Sequence, residues 1–264
     1  MSMRAAKLIF ALLAVGFLLL PLVAILPLAF TDSIFLTYPI PSLSLRWFDE
    51  LATAPVWQRS IVNSLIVGGG ATLLSVVLGT LAALGLSGRA LPFAGLFRTV
   101  FLLPMVVPAV VLGVGLQISL ARIGLSSTYL GVIVSHSVLC IPFVIVSVST
   151  ALAGIDRTAL RAAASLGAGP ITVFRRVTMP LAMPGIVTGA VFAFATSLDE
   201  VVLTLFVAGP NQRTLARQMF SSIRENISPA VAAAAFILIL GTLLLAGLAA
   251  LLRWRQQRIL TARS

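Results

Sequence analysis

The sequence predicts an all-α, polytopic membrane protein with about six transmembrane helices, and three observations carry that prediction. Of its 264 residues, 59% are hydrophobic and 9% charged, whereas soluble domains carry roughly 45–50% apolar and about 25% charged residues. The mean hydropathy is +1.12, so too few polar side chains exist to cover a soluble core of this size. The apolar residues also gather into long runs, and a bilayer-crossing helix needs about 20 such residues.

The first run, residues 8–30, follows Arg4 and Lys7. It is too long for a signal-peptide core and has no small-residue cleavage site before Pro27, so a retained span is expected. Segment 31–60 contains Pro39, Pro41 and a stretch at 45–51 in which Trp47 and Phe48 stand beside charges. Aromatic rings in that setting suit a short helix anchored at the membrane interface. The second expected span, 61–86, carries Gly68, Gly69 and Gly70, which permit close helix packing in lipid. Further spans are expected at 99–121, 129–152, 184–208 and 229–252. The last is introduced by Asn226-Ile227-Ser228-Pro229, an N-cap followed by proline. No internal repeat, low-complexity tract or second domain is visible, so residues 1–264 read as one transmembrane domain.

A net charge of +11 invites a nucleic-acid partner. The basic residues form no stripe, however; they lie in short tracts between the apolar runs. Arg4, Lys7, Arg89, Arg98, Arg157, Arg161, Arg175, Arg176, Arg253, Arg255, Arg258 and Arg263 fall on one side. Arg46, Arg59, Arg122, Arg213, Arg217 and Arg224 fall on the other. Lys and Arg accumulate on cytoplasmic segments, so both termini are expected in the cytoplasm, and no nucleic acid is expected to bind.

Catalytic chemistry has little to build on. There is no P-loop, so ATP hydrolysis by that route is excluded. Cys140, the single cysteine, reads as an inert core thiol, and His136, the single histidine, as structural. No metal cluster or triad is available, and no cofactor is expected on the chain.

Two features rise above this background. Asp199 and Glu200 sit inside the fifth run, where ionisable groups are costly and usually face a cavity or a partner. Read as one helix over 184–208, the run places Asp199 roughly 13 Å from its outer end. The two carboxylates are candidates for a substrate path, with Ser197 and Thr204 as weaker ones; pairing with a neighbouring helix is the structural alternative. The second feature is the long cytoplasmic segment 153–183. Arg161, Ala162, Ala163, Ala164, Ser165 and Leu166 form a short helix of small residues closed by Gly167 and Gly169. A second helical stretch at 171–177 precedes Met179-Pro180. Such a segment suits either a docking helix or a solvated connector.

Ala162-Ala163, Gly167 and Val177-Thr178-Met179-Pro180 resemble the cytoplasmic EAA loop of type I ABC-importer permeases. Ser197-Leu198-Asp199-Glu200-Val201-Val202-Leu203, Val207-Ala208-Gly209-Pro210, and the stretch from Gln218 to Pro229 resemble the second permease of spermidine/putrescine-type importers. The resemblance implies that permease fold in a bacterial inner membrane. It also implies import of a polyamine-like solute, with another small solute (an amino-acid derivative, opine or phosphonate) as the alternative. The implied partners are an ABC ATPase dimer that carries the ATP and Mg, a second related permease, an extracytoplasmic solute-binding protein and membrane lipid. Arg161, Ala162, Ala163, Gly167 and Pro180 would then couple to the ATPase, although Arg161 stands where the motif carries glutamate. An ion-coupled secondary transporter is the rival from another class; the lack of visible inverted repeats argues against it. A membrane scaffold without transport gives the carboxylates no purpose.

Overall fold

The computed structural model describes residues 3–88, 91–225 and 227–261, without the side chains of residues 5, 6, 157, 159, 164 and 252–261. Arg89, Asn226 and Arg263 therefore lie outside the described residues, as do the side chains of Arg157, Arg253, Arg255 and Arg258.

Among the described residues every regular element is helical: α1 (Met3–Ile25), α2 (Arg46–Thr53), α3 (Pro55–Ser87), α4 (Ala94–Leu102), α5 (Ala109–Arg122), α6 (Tyr129–Ala153), α7 (Arg157–Ser165), α8 (Pro170–Val173), α9 (Met179–Asp199), α10 (Val202–Val207), α11 (Leu215–Glu225) and α12 (Ala230–Thr261). Five helical stretches are long and apolar enough to cross a membrane, and the α4–α5 pair makes up to six. That pair is bent by 100°. The bend falls at Val106–Pro108, where Pro108 lacks an N–H and its ψ of 131° leaves the helical region. The third expected span is thus broken rather than straight.

The helix expected at 184–208 also differs. Its first part extends back to Pro170, through a wide turn at Phe174–Thr178 in which the Met179 N–H reaches the Phe174 carbonyl. That turn moves the backbone away from the Pro180 ring, which would strike the carbonyl four residues earlier in a regular helix. At its other end α9 stops at Asp199.

The described chain forms two compact units. In the first, residues 1–58 and 218–241, Phe236 meets Phe30 and Phe48 edge-on and those two rings are tilted on each other, with centroids 5.2 to 5.7 Å apart. Trp47, Leu51 and Trp57 of the same unit are buried. The short helix expected around Trp47 and Phe48 forms as α2, with Trp47 buried and the Phe48 ring packed on Phe30 and Phe236. Helix α1 is apolar on every side, with Phe10 and Phe17 exposed, as a helix bathed in lipid must be.

The second unit, residues 59–217 and 242–264, is centred on α6. Val144 and Val148, with Cys140, form a core with Ala83 of α3 and Ala193 of α9. Glycines permit this approach. A Cβ on Gly185 would stand 2.5 Å from the Ala151 Cβ and 2.8 Å from the Ser147 carbonyl oxygen. Gly68 and Gly70 meet Phe194 and Ile133, whereas Gly69 faces open space. A second cluster joins Val67, Leu120, Val132 and Val207.

Candidate functional site: a helix break with two carboxylates, and an exposed connector

Between α9 and α10 the chain leaves helical geometry at Glu200, with φ −76° and ψ 111°. A depth reckoned along one continuous helix therefore does not hold. Asp199 ends α9 and is exposed; Glu200 is half-buried. Irregular backbone among apolar spans needs internal partners for its freed polar groups, and side chains supply them. The Glu200 carboxylate accepts the Leu203 N–H at 2.8 Å, and the Thr204 hydroxyl donates to the Glu200 carbonyl at 3.1 Å. At the far end of α10, the Arg217 guanidinium donates to the Thr204 and Ala208 carbonyls at 3.1 and 2.8 Å. Cations are favoured at such a terminus. Burial, then the neighbouring Arg213 charge, lowers the Arg217 pKa from its ordinary value. Asp199 makes no hydrogen bond or ion pair with another described residue.

Ser197 and Thr204 do not stand open to a path. Both are buried and converge on the fully buried His136 of α6. The Ser197 Oγ lies 2.7 Å from its Nδ1, and the Thr204 Oγ1 lies 3.0 Å from its Nε2. Cys140, one turn along α6, donates to the Ala193 carbonyl and is sealed in the core. Sequence reasoning left His136 as a generic core residue. The usable signal was two hydroxyl residues bracketing the acidic pair, with one intramembrane histidine to meet them.

The loop beyond α10 is also tied down. The Asn63 amide donates to the Asn211 and Arg213 carbonyls at 2.8 and 2.9 Å. The Tyr129 hydroxyl donates to the Asn63 Oδ1 at 2.7 Å, and the Ser64 hydroxyl accepts the Leu215 N–H. Sequence reasoning did not find this network, which joins residues about 150 positions apart.

The connector from α6 to α9 has the opposite character. Helix α7 ends as expected at Gly167, whose φ of +79° suits glycine. The Ala168 N–H returns to the Ala163 carbonyl at 3.2 Å, closing a Schellman motif. Arg161 and Ala162 are exposed, and Ala163 is half-buried. Leu166 and Ile171 are 88% and 75% exposed. Asp156 accepts the Thr158 N–H, which holds its carboxyl below the usual range, with the Thr158 hydroxyl and the Arg161 charge adding to the effect. Arg161 and Arg98 line a cavity of about 1000 Å³ bounded by the ends of α3, α4 and α6. Pro180 lies within continuous helix. Among the described residues, no group of three or more His, Cys, Asp or Glu is placed to hold a metal ion.

Residues 75–258 match the family described as binding-protein-dependent transport system inner membrane component. The chain is 32% identical over 266 residues to the putrescine transport system permease protein PotI of Escherichia coli K12, covering 96% of this chain and 93% of that protein. It is 33% identical over 243 residues to the molybdenum transport system permease protein ModB of Mycobacterium bovis, covering 84% and 91%. Its fold matches a chain in the crystal structure of a bacterial ABC transporter involved in import of the acidic polysaccharide alginate. There the TM-score is 0.73, at 14% identity over 93% of this chain and 95% of that one.

Proposed function

The chain belongs to the family of binding-protein-dependent transport system inner membrane components, and from that premise we propose that it is the permease subunit of an ATP-driven importer for a small organic polycation of the putrescine kind. The observation that carries the cargo is the helix break. It presents one exposed carboxylate, Asp199, without a hydrogen bond or ion pair among the described residues, beside a half-buried one, Glu200. Two carboxylates offset the charge of a diamine as it sheds water. The putrescine named for the relative PotI is such a cation. The molybdenum named for ModB favours a second reading. In neutral water, molybdenum is an oxyanion, however, and adjacent carboxylates repel it.

Transport then proceeds by alternating access, with energy from a partner ATPase dimer that binds ATP and Mg; this chain binds no cofactor. A second related permease completes the path, and an extracytoplasmic solute-binding protein delivers the cargo. Both termini face the cytoplasm, where the connector with Arg161, Ala162, Ala163, Gly167 and Pro180 couples to the ATPase. The exposed Leu166 and Ile171 support that role, since isolated apolar tips on a polar connector suit a partner's groove. Arg161 lines the cavity beside Arg98, so in this chain the arginine replacing the motif glutamate has a place besides the ATPase contact.

The test is uptake of labelled putrescine into proteoliposomes holding the complete complex and its binding protein. The expected result is ATP-dependent accumulation that excess molybdate does not reduce and a proton uncoupler leaves intact. Uptake of molybdate instead of putrescine, or collapse under the uncoupler at intact ATP, overturns the reading.

A further inference from the structure

We infer that His136 is a positioning residue: through a hydrogen-bond chain running from Ser197 to the Glu200 carbonyl, it sets the angle of the α9–α10 break and with it the placement of the Glu200 carboxylate. The inference rests on the proposed role of Glu200 in the solute path.

The direction of the chain follows from donor arithmetic. Thr204 has one hydroxyl proton and donates it to the Glu200 carbonyl at 3.1 Å. Its oxygen must therefore accept from His136, so Nε2 carries the imidazole proton at 3.0 Å. In the neutral ring Nδ1 is then an acceptor, and the Ser197 hydroxyl donates to it at 2.7 Å. Ser197 belongs to the last turn of α9 and Thr204 to α10. One rigid ring on α6 thus grips both sides of a break that has lost its own helical bonds. His136, Ser197 and Thr204 are at most 3% exposed, so water is not available to replace a lost member. Buried networks of this kind depend on each partner being satisfied.

The grip reaches the carboxylate by a short route. Thr204 fixes the first turn of α10, whose Leu203 N–H holds the Glu200 Oε1 at 2.8 Å. If α10 rotates, the carboxylate moves with it. A histidine that merely filled space in α6 would pack, but would hold neither flank of the break.

The experiment combines two measurements on the complete complex. Amide hydrogen exchange is followed over residues 199–207 in wild type, His136→Leu, His136→Gln and Thr204→Val. His136→Leu keeps bulk without bonds, while His136→Gln restores one donor and one acceptor. Thr204→Val cuts the chain without touching the ring, so the question stays open to test if His136→Leu fails to assemble. Exchange is expected to rise in the Leu and Val variants and to stay near wild type in the Gln variant. In parallel, half-saturating putrescine concentrations are measured for His136→Leu, Glu200→Gln and the pair combined. Loss of one buried hydrogen-bonded link corresponds to an increase of about five-fold for His136→Leu. Added to Glu200→Gln, the same change is expected to have less than about two-fold effect, because coupled residues are non-additive. Unchanged exchange in both the Leu and Val variants overturns the inference. So does full additivity, which marks a packing role. A silent Glu200→Gln defeats the proposed cargo path instead, and the exchange measurement still decides whether His136 sets the break.

Discussion

The connector at 154–178 and the break at 200–201 both interrupt the helical chain, and they do so on opposite principles. At the break, freed backbone groups find partners inside the molecule: Glu200, Thr204, His136 and Arg217 close around α10. In the connector, the backbone closes on itself at Gly167, but the side chains turn outward and leave Leu166 and Ile171 exposed. A self-satisfied break can hold charge among apolar helices. An outward-facing connector leaves apolar side chains such as Leu166 and Ile171 uncovered, as the proposed docking role requires.

The largest effect separating the two regions is expected from Leu166→Asp. A residue 88% exposed contributes little to the fold of the permease itself, so its stability should shift by no more than about 0.5 kcal/mol. Copurification of the ATPase and solute uptake should both fall by at least about ten-fold, the equivalent of ~1.4 kcal/mol of docking energy. Normal ATPase copurification in this variant would remove the contrast at its root. A smaller effect, of the opposite kind, is expected from Tyr129→Phe. It removes the donor to Asn63 at 2.7 Å and leaves a polar oxygen unpaired, at a cost of about 1–2 kcal/mol. Thermal unfolding of the purified complex should register that loss while uptake stays within two-fold. If Tyr129→Phe instead abolished uptake without destabilising the complex, the network would belong to the transport path rather than to the frame.

The contrast also marks what the sequence could reveal. Long apolar runs identify lipid-crossing helices by hydropathy alone, so α3, α6 and α12 were legible, whereas the run at 184–208 overran the end of α9 at Asp199. The Gly167 stop was legible because positive φ favours one residue type. The breaks were harder. Val106–Pro108 carries a proline signal, but an apolar run masks it. The Glu200 break has no Gly or Pro at all; it exists because side chains from distant positions satisfy it. Asp199 and Glu200 stood out because charge among apolar residues is conspicuous. Ser197, Thr204 and His136 are individually ordinary, and only their convergence gives them a role. The stretch at 171–177 was legible as helical, but not its continuity with α9: a wide turn at Phe174–Thr178 lets the helix pass through Pro180.

The central claim is that the charge of the break carries the cation. At an effective dielectric of about 20, an ion pair near 4 Å is worth about 4 kcal/mol before desolvation is subtracted. Asp199→Asn and Glu200→Gln keep the side-chain shapes and remove that charge. Uptake of labelled putrescine by proteoliposomes holding the assembled complex and its binding protein should fall strongly in at least one single variant and further in the double variant. Wild-type uptake by the double variant would contradict the account.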